Sequence, residues 1–229
     1  MAETLDKRNF IFADSTVTPV GTMYCIGKNY ALHAAEMGDD KPRSEPLVFL
    51  KPPAAYLPHG SIVALPFDQG AIHHEVEMVV VIGRDAENVS ADSAARFIAG
   101  YAVGIDLTLR DVQREAKNNG WPWARAKAFA GSAPISQIVP AYALDGGRGD
   151  FDLELYVNGY LRQSGNTRDM TYSVNELIAW LSGIFTLRRG DCIFTGTPHG
   201  VGSIDPGDKL EARLGSVARL EIEVEAAAS

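Results

Sequence analysis

Short apolar runs that end at glycine or at Asn-Gly constrain the fold of this chain more than any other feature. Residues 77–82 (EMVVVI) are mostly apolar and β-branched and stop at Gly83, and residues 101–105 (YAVGI) form a second apolar run. Asn158-Gly159 favours a two-residue hairpin turn, because both positions tolerate a positive φ. The strands predicted on either side of that turn, and at the end of the chain, are residues 153–157, 160–163, 208–214 and 217–225.

Helical signals are fewer. Residues 108–118 predict a helix with Thr108 as its N-cap and Asp111 three residues further on. Residues 173–176 (SVNE) match a capping box. The apolar residues that share one face of the helix after this box are Leu177, Ile178, Leu181 and Ile184. The sequence therefore predicts an α+β, β-rich fold.

Composition excludes several classes of protein. The 229 residues are 46% hydrophobic and 22% charged, which is ordinary for one globular domain. The net charge of −8 argues against non-specific nucleic-acid binding. No run approaches the roughly 18 apolar residues of a membrane span, and the first residues lack the apolar run of a signal peptide. Cys25 and Cys192 form no zinc or disulfide pattern. We expect a cytoplasmic protein with no nucleic-acid or membrane partner.

Two glutamates interrupt the first apolar run. Glu75 and Glu77 are alternate residues of one strand, so they share a face with Cα atoms roughly 7 Å apart. Like charges in a half-buried strand are costly unless a cation or a proton compensates. Asp106 ends the second run, and three carboxylates with water suit Mg²⁺ or Mn²⁺, or Ca²⁺ in a wide cavity. The alternative is an exposed strand face, and spacing alone does not bring Asp106 to the glutamates.

A histidine and a glutamate near the N-terminus offer a general base. His33 and Glu36 are three residues apart and would share one face of a helix. A carboxylate beside an imidazole fixes its tautomer and raises its basicity. The alternative is an ordinary surface pair. The polar segment that follows, residues 38–46, predicts a mobile loop that orders over a bound substrate.

Six motifs in a fixed order carry a resemblance to a known family. They are GKNY, LVFLKP (47–52), HHEVEM, GIDLTLRDVQ (104–113), PWARAKAF (122–129) and FTGTPHGVG (194–202). Together they resemble the fumarylacetoacetate hydrolase family, and within it the short acylpyruvase and fumarylpyruvate hydrolase members. The resemblance implies a mixed β-roll or barrel with few helices, a homodimer and a bound Mg²⁺ or Mn²⁺. It also implies a short N-terminal extension, residues 1–20, and a single catalytic domain, residues 21–229.

The resemblance assigns roles to nine residues. The family's metal-ligand positions fall on Glu75, Glu77 and Asp106. Its water-activating pair falls on His33 and Glu36, and the lysine that stabilises developing negative charge falls on Lys127. The positions implied to contact the substrate are Arg110, Gln113 and Thr197.

The activity that this resemblance implies is cleavage of a C–C bond in a small 2,4-dioxo acid, giving pyruvate and a carboxylic acid. Oxaloacetate has the same 2-oxo acid head, so an oxaloacetate decarboxylase or keto–enol tautomerase is the alternative. A non-catalytic metal-binding domain is a more remote one. A fumaryl substrate would require a cation at the far end of the pocket, for which Arg43 is the candidate. Lys51 either faces the site or caps a strand.

Overall fold

The computed structural model describes residues 8–36, 44–66, 68–144 and 150–226. Arg43, with most of the loop predicted over residues 38–46, lies outside these ranges. The strands are β1 (Asn9–Ile11), β2 (Val17–Pro19), β3 (Met23–Gly27), β4 (Leu47–Lys51), β5 (Tyr56–Pro58), β6 (Ile62–Leu65), β7 (Ile72–His74), β8 (Val76–Ile82), β9 (Ile98–Ile105), β10 (Thr108–Leu109), β11 (Ala133–Ile135), β12 (Val139–Pro140), β13 (Asp152–Val157), β14 (Tyr160–Asn166), β15 (Cys192–Phe194), β16 (Gly202–Ile204), β17 (Lys209–Leu214) and β18 (Ala218–Ala226).

The helices of the described ranges are short. They are α1 (Ala31–Glu36), α2 (Ala91–Ala94), α3 (Arg110–Asn119), α4 (Ala124–Lys127) and α5 (Val174–Ile184), with single 3₁₀ turns at Pro53–Ala55, Ala95–Phe97, Ala141–Ala143 and Thr167–Asp169. Within the described part of the chain, none of these helices has the length and apolar character needed to cross a bilayer.

Two larger sheets build the body of the fold. The eight-stranded sheet runs β4-β3-β15-β8-β9-β11-β5, with β12 beside β9, and is mixed because β3 pairs parallel with β15 and β5 parallel with β11. The five-stranded sheet runs β14-β13-β17-β18-β6. The predicted hairpin is confirmed: Asn158 and Gly159 have φ values of 53° and 81° between β13 and β14. This arrangement confirms the β-rich α+β prediction.

Strand β8 is buried on both faces, which explains its continuous apolar sequence. Met78, Val80 and Ile82 point into the core shared with the five-stranded sheet. Val79 and Val81 point into a second core on the opposite face. A strand that packs on both sides is a rigid support for the polar residues at its beginning.

The second core includes residues of β1, the first described strand. Phe10 is fully buried in it, and the ring of Phe10 lies 5.2 Å from that of Tyr56. Residues before 21 were predicted as an extension. In the structure, part of this segment packs into the core of the fold.

The predicted N-cap of α3 is wrong. The helix begins at Arg110, and its N-cap is Leu109 with no side-chain cap. Thr108 instead belongs to β10, where its backbone pairs with His73. Its hydroxyl donates to the Asp106 carbonyl at 3.1 Å, so it serves the site and not the helix end.

The capping box of α5 is confirmed, since the Ser173 and Glu176 side chains each bond the other's backbone amide. One residue of the predicted apolar face is exposed: Ile184 ends the helix with 59% of its surface accessible. The chain leaves the helix there, and Phe185 packs against Tyr24 in its place, with ring centroids 5.1 Å apart.

Candidate metal centre and active site

The structure brings the three predicted metal ligands together where β8 begins and β9 ends. Glu75 immediately precedes β8, Glu77 is its second residue, and Asp106 immediately follows β9. The two strands are antiparallel neighbours, and the Asp106 amide donates to the Glu75 carbonyl at 2.8 Å. All three side chains are buried, and one oxygen of each lies within 4.8 Å of the others. The pairing of β8 with β9 therefore brings Asp106 to the two glutamates, which the sequence spacing alone could not predict.

Lys127 lies directly against this triad. Its ammonium donates to Glu75 Oε2 at 2.7 Å, to Asp106 Oδ2 at 2.5 Å and to Thr108 Oγ1 at 2.6 Å. Burial by itself would lower the pKa of Lys127, but the charges of Asp106 and Glu75 outweigh it and raise that pKa. The side chain is therefore a fixed cation with all three N–H groups engaged. Its role toward developing charge on a substrate stays a prediction.

Lys51 is a second buried ammonium at the triad, a role that the sequence left undecided. It ends β4 with 0% of its surface accessible, and its Nζ lies 2.8 Å from Asp106 Oδ1. It also donates to the Ser132 carbonyl at 3.0 Å, to Ser132 Oγ at 2.9 Å and to the Lys127 carbonyl. In the sequence, this lysine stands at the end of an apolar strand. A lysine buried at such a position requires several oxygen partners, and these partners here include the triad.

Arg110 completes the cationic side of the site from the first turn of α3. Its Nη2 lies 2.5 Å from Glu75 Oε1, and its Nη1 donates to Gln113 Oε1 at 2.7 Å. Burial alone would raise the pKa of Glu75, but the charges of Lys127 and Arg110 hold it well below its ordinary value. Glu75 is therefore ionised, and Gln113 faces the pocket as a neutral neighbour of the guanidinium.

Glu77 is the member of the triad that lacks a cation. Its Oε2 accepts the Gly196 amide at 2.7 Å, and no lysine or arginine of the described ranges forms an ion pair with it. Burial, and then the charges of Asp106 and Glu75, raise its pKa well above the ordinary value. A divalent cation among the three carboxylates would remove this cost, and oxygen donors of this kind suit Mg²⁺, Mn²⁺ or Ca²⁺. The residues present therefore fit a hard divalent metal.

His33 faces the same pocket from the short helix α1, with 5% of its surface accessible. Its Nδ1 lies 3.3 Å from Glu36 Oε2, and the Glu36 carboxylate also accepts the Gly200 amide at 3.2 Å. Burial lowers the pKa of His33, so the imidazole is neutral near pH 7. Because a carboxylate only accepts, Nδ1 carries the proton and Nε2 is left as the basic nitrogen.

Thr197 lines the pocket beyond Gly196, and its position depends on a residue that sequence reasoning missed. Gln163 of β14 donates to Thr197 Oγ1 at 2.9 Å and to the Pro198 carbonyl at 3.0 Å. Its own oxygen accepts the Val76 amide at 3.0 Å, at the start of β8. Gln163 thus joins the two large sheets behind the triad. No local pattern indicated this, because the contacts cross 34 and 87 positions of the chain.

These features define a class of site: three buried carboxylates that could hold a divalent metal, with a neutral imidazole in the same pocket. Residues 22–225 match the family model described as fumarylacetoacetate (FAA) hydrolase C-terminal. The chain belongs to this family, as its motifs implied.

Named relatives fall into two groups. The chain is 45% identical over 192 residues to the oxaloacetate tautomerase YcgM of Escherichia coli, covering 84% of this chain and 87% of that protein. It is 44% identical over 201 residues to the mitochondrial oxaloacetate tautomerase FAHD1 of Bos taurus, covering 88% and 90%. A crystal structure of fumarylpyruvate hydrolase from Pseudomonas aeruginosa, in complex with Mn²⁺ and pyruvate, matches with a TM-score of 0.92, 35% identity and 99% of each chain. The family therefore includes both hydrolases and tautomerases.

Proposed function

We propose that this protein is a divalent-metal-dependent oxaloacetate keto–enol tautomerase. The observation that carries the proposal is a neutral, carboxylate-oriented imidazole in the same pocket as the metal-competent triad. Relatedness directs this chemistry to oxaloacetate, because identity is 45% and 44% to two tautomerases against 35% to the hydrolase. The sequence alone led us to expect hydrolysis first and oxaloacetate tautomerisation as an alternative; we now propose the alternative.

Tautomerisation requires only that a proton move between C3 and the 2-oxo oxygen of oxaloacetate. His33 Nε2 takes the proton from C3 of the keto form, while Glu36 holds Nδ1–H and stabilises the imidazolium that results. The imidazolium then gives the proton to the oxygen on C2, so the enol forms with no net proton change. A bound divalent ion supplies Lewis-acid polarisation of the 2-oxo group. Arg110 and Gln113, on the helix face beside the triad, bind and orient the 2-oxo acid head.

A specific observation favours acylpyruvate or fumarylpyruvate hydrolysis as the second candidate. The same His33 and Glu36 pair can take a proton from water, and the fold matches a fumarylpyruvate hydrolase with a TM-score of 0.92. Water would add to the distal carbonyl, the C3–C4 bond would break, and the imidazolium would return the proton to C3 of the departing pyruvate. The two reactions share the 2-oxo acid head and differ in whether water enters.

The test is to measure both reactions on one preparation. Loss of enol absorbance reports oxaloacetate tautomerisation, and pyruvate release reports hydrolysis of acetylpyruvate and fumarylpyruvate. Each is measured with Mg²⁺, with Mn²⁺ and with chelator. Metal-dependent tautomerisation that exceeds hydrolysis supports the proposal. Hydrolysis with no acceleration of tautomerisation transfers the assignment to the second candidate.

His33→Ala separates base catalysis from metal binding. We expect a loss of about 100- to 10,000-fold in turnover, the range for a general base, with Mn²⁺ affinity retained. His59→Ala is the matched control, because His59 lies in the turn between β5 and β6, accepts the Glu221 amide there and does not line the pocket. A His33→Ala enzyme that keeps full turnover would remove His33 from the mechanism.

A further inference from the structure

Besides Arg110 and Lys127, two further cations line the pocket and have no task in the mechanism above. Lys117 of α3 and Lys28, which follows β3, both line the pocket that contains the triad. They come from different elements of the fold. A pocket that already holds Lys127 and Arg110 therefore has additional positive charge away from the metal ligands.

Lys117 shares one helical face with two residues at the triad. Arg110, Gln113 and Lys117 are spaced by three and four positions, which aligns them along one side of α3. Seven residues of α-helix rise by about 10 Å. Arg110 contacts Glu75 at the beginning of the helix, and Lys117 lies in its last turn, where the residue is exposed to solvent.

An aromatic wall connects the inner and outer cations. Lys127 Nζ lies 4.9 Å from the Phe49 ring centroid, and Lys117 Nζ lies 5.2 Å from that of Trp123. The two rings are themselves 5.9 Å apart. A substrate whose reacting head is beside Lys127 can therefore extend along this wall with its far end toward Lys117.

The outer cation has a local environment that favours an anion. Within the described ranges, Lys117 forms no ion pair with any aspartate or glutamate. Its partial burial, together with the charges of Lys28 and Arg110, lowers its pKa. A carboxylate placed between these groups would offset both desolvation and repulsion.

We propose that Lys117, with Lys28 from the neighbouring loop, binds the second carboxylate of the substrate, so that this site selects 2-oxo dicarboxylates over 2-oxo monocarboxylates. The inference rests on the proposed function and deepens it, since oxaloacetate carries that second carboxylate. Fumarylpyruvate also carries one, whereas acetylpyruvate does not. The sequence offered Arg43 for the far carboxylate of a fumaryl substrate; that residue lies outside the described ranges, and its role stays a prediction.

Binding of two inert ligands of equal length tests the proposal without any reaction. 2-Oxoglutarate and 2-oxopentanoate have five carbons each, and only the first has a second carboxylate. Affinities are measured by calorimetry on the Mn²⁺-loaded protein for the wild type, Lys117→Met and Lys117→Arg. We expect Lys117→Met to weaken 2-oxoglutarate about tenfold, as for loss of one charged hydrogen bond, and to leave 2-oxopentanoate unchanged. Lys117→Arg should restore most of the affinity.

Arg114→Met is the matched control, because Arg114 is an exposed cation of the same helix paired with Asp111 outside the pocket. If Arg114→Met weakens 2-oxoglutarate as much as Lys117→Met does, the effect is a general field of the helix and the proposal is wrong. It is also wrong if Lys117→Met weakens both ligands equally or neither. Lys28→Met should give the same ligand-selective loss.

Turnover separates this inference from the proposed function. On oxaloacetate, Lys117→Met should raise KM about tenfold with kcat within about twofold of the wild type, because the second carboxylate is bound equally in the ground state and in the transition state. If the wild type fails to tautomerise oxaloacetate, the proposed function fails. The calorimetric comparison still decides whether Lys117 reads a second carboxylate.

Discussion

Replacing Lys51 with methionine tests whether this buried ammonium balances the charge of Asp106. The substitution keeps an unbranched apolar side chain but removes the cation 2.8 Å from Asp106 Oδ1. Lys51 is fully buried, and the Asp106 side chain is 1% accessible, so solvent cannot replace the lost partner. The carbonyls of Lys127 and Ser132 lose a charged donor at the same time.

Breaking one side of a buried ion pair costs about 3 to 5 kcal/mol. We expect the lower part of that range, because Lys127 still contacts Asp106 Oδ2 at 2.5 Å. With a urea m-value of about 2 kcal/mol/M, the unfolding midpoint should fall by about 1.5 M. The measurement is urea unfolding in chelator at one fixed protein concentration, since any assembly makes stability depend on concentration.

Mn²⁺ should act in the opposite direction on the same variant. Removing a positive charge beside the triad leaves it more attractive to a divalent cation, so Mn²⁺ should raise the midpoint of Lys51→Met more than that of the wild type. Lys209→Met is the control, because Lys209 pairs with Glu223 on an exposed strand surface and should show no resolvable shift. A Lys51→Met midpoint equal to that of the wild type in chelator would refute the reasoning.

Two further substitutions test the triad and the capping box. In chelator, Glu77→Gln should be more stable than the wild type, by a margin that grows as pH rises above about 4.5. The pKa of Glu77 is higher in the folded state than in the unfolded state, so ionisation of Glu77 above that pH destabilises the metal-free fold. Mn²⁺ should then raise the Tm of the wild type and not of Glu77→Gln; equal Mn²⁺ stabilisation of both would argue against the triad as the metal site. Ser173→Ala should lower the free energy of unfolding by about 1 kcal/mol in urea without changing turnover, and an unchanged midpoint would show that the box adds nothing to α5.

The sequence predicted the elements whose signals are local. The hairpin at Asn158-Gly159 was predicted correctly because the turn depends only on two residues that tolerate a positive φ. The capping box at Ser173 succeeded for the same reason. Thr108 failed as an N-cap because a tertiary pairing with His73 held it in a strand. Sheet order was not predictable, since β3 and β15 pair across nearly the whole chain.

The residues of the site also differ in whether local sequence could predict that they meet. Glu75 and Glu77 are alternate residues at the beginning of β8, so the sequence contains their proximity, although Glu75 lies just before the strand and not in it as predicted. Asp106 joins them through the ladder between β8 and β9. Lys51 and Gln163 reach the site only through tertiary packing of other strands. Each is a polar side chain in a strand that is buried in the fold. Such a residue indicates a site only when its hydrogen-bond partners are known, and these come from distant parts of the chain.

Charge balance connects the triad to the choice of substrate. Glu75, Glu77 and Asp106 carry three negative charges when ionised, and Lys51, Lys127 and Arg110 carry three positive ones. A divalent ion would keep all three carboxylates ionised, Glu77 included, and would leave the inner site with two net positive charges. A dianion such as oxaloacetate neutralises that excess, whereas a monocarboxylate leaves one charge unbalanced in a buried pocket, which is costly. The same balance makes Lys117, which lines the pocket, suited to substrate selection, because it adds attraction for a second carboxylate.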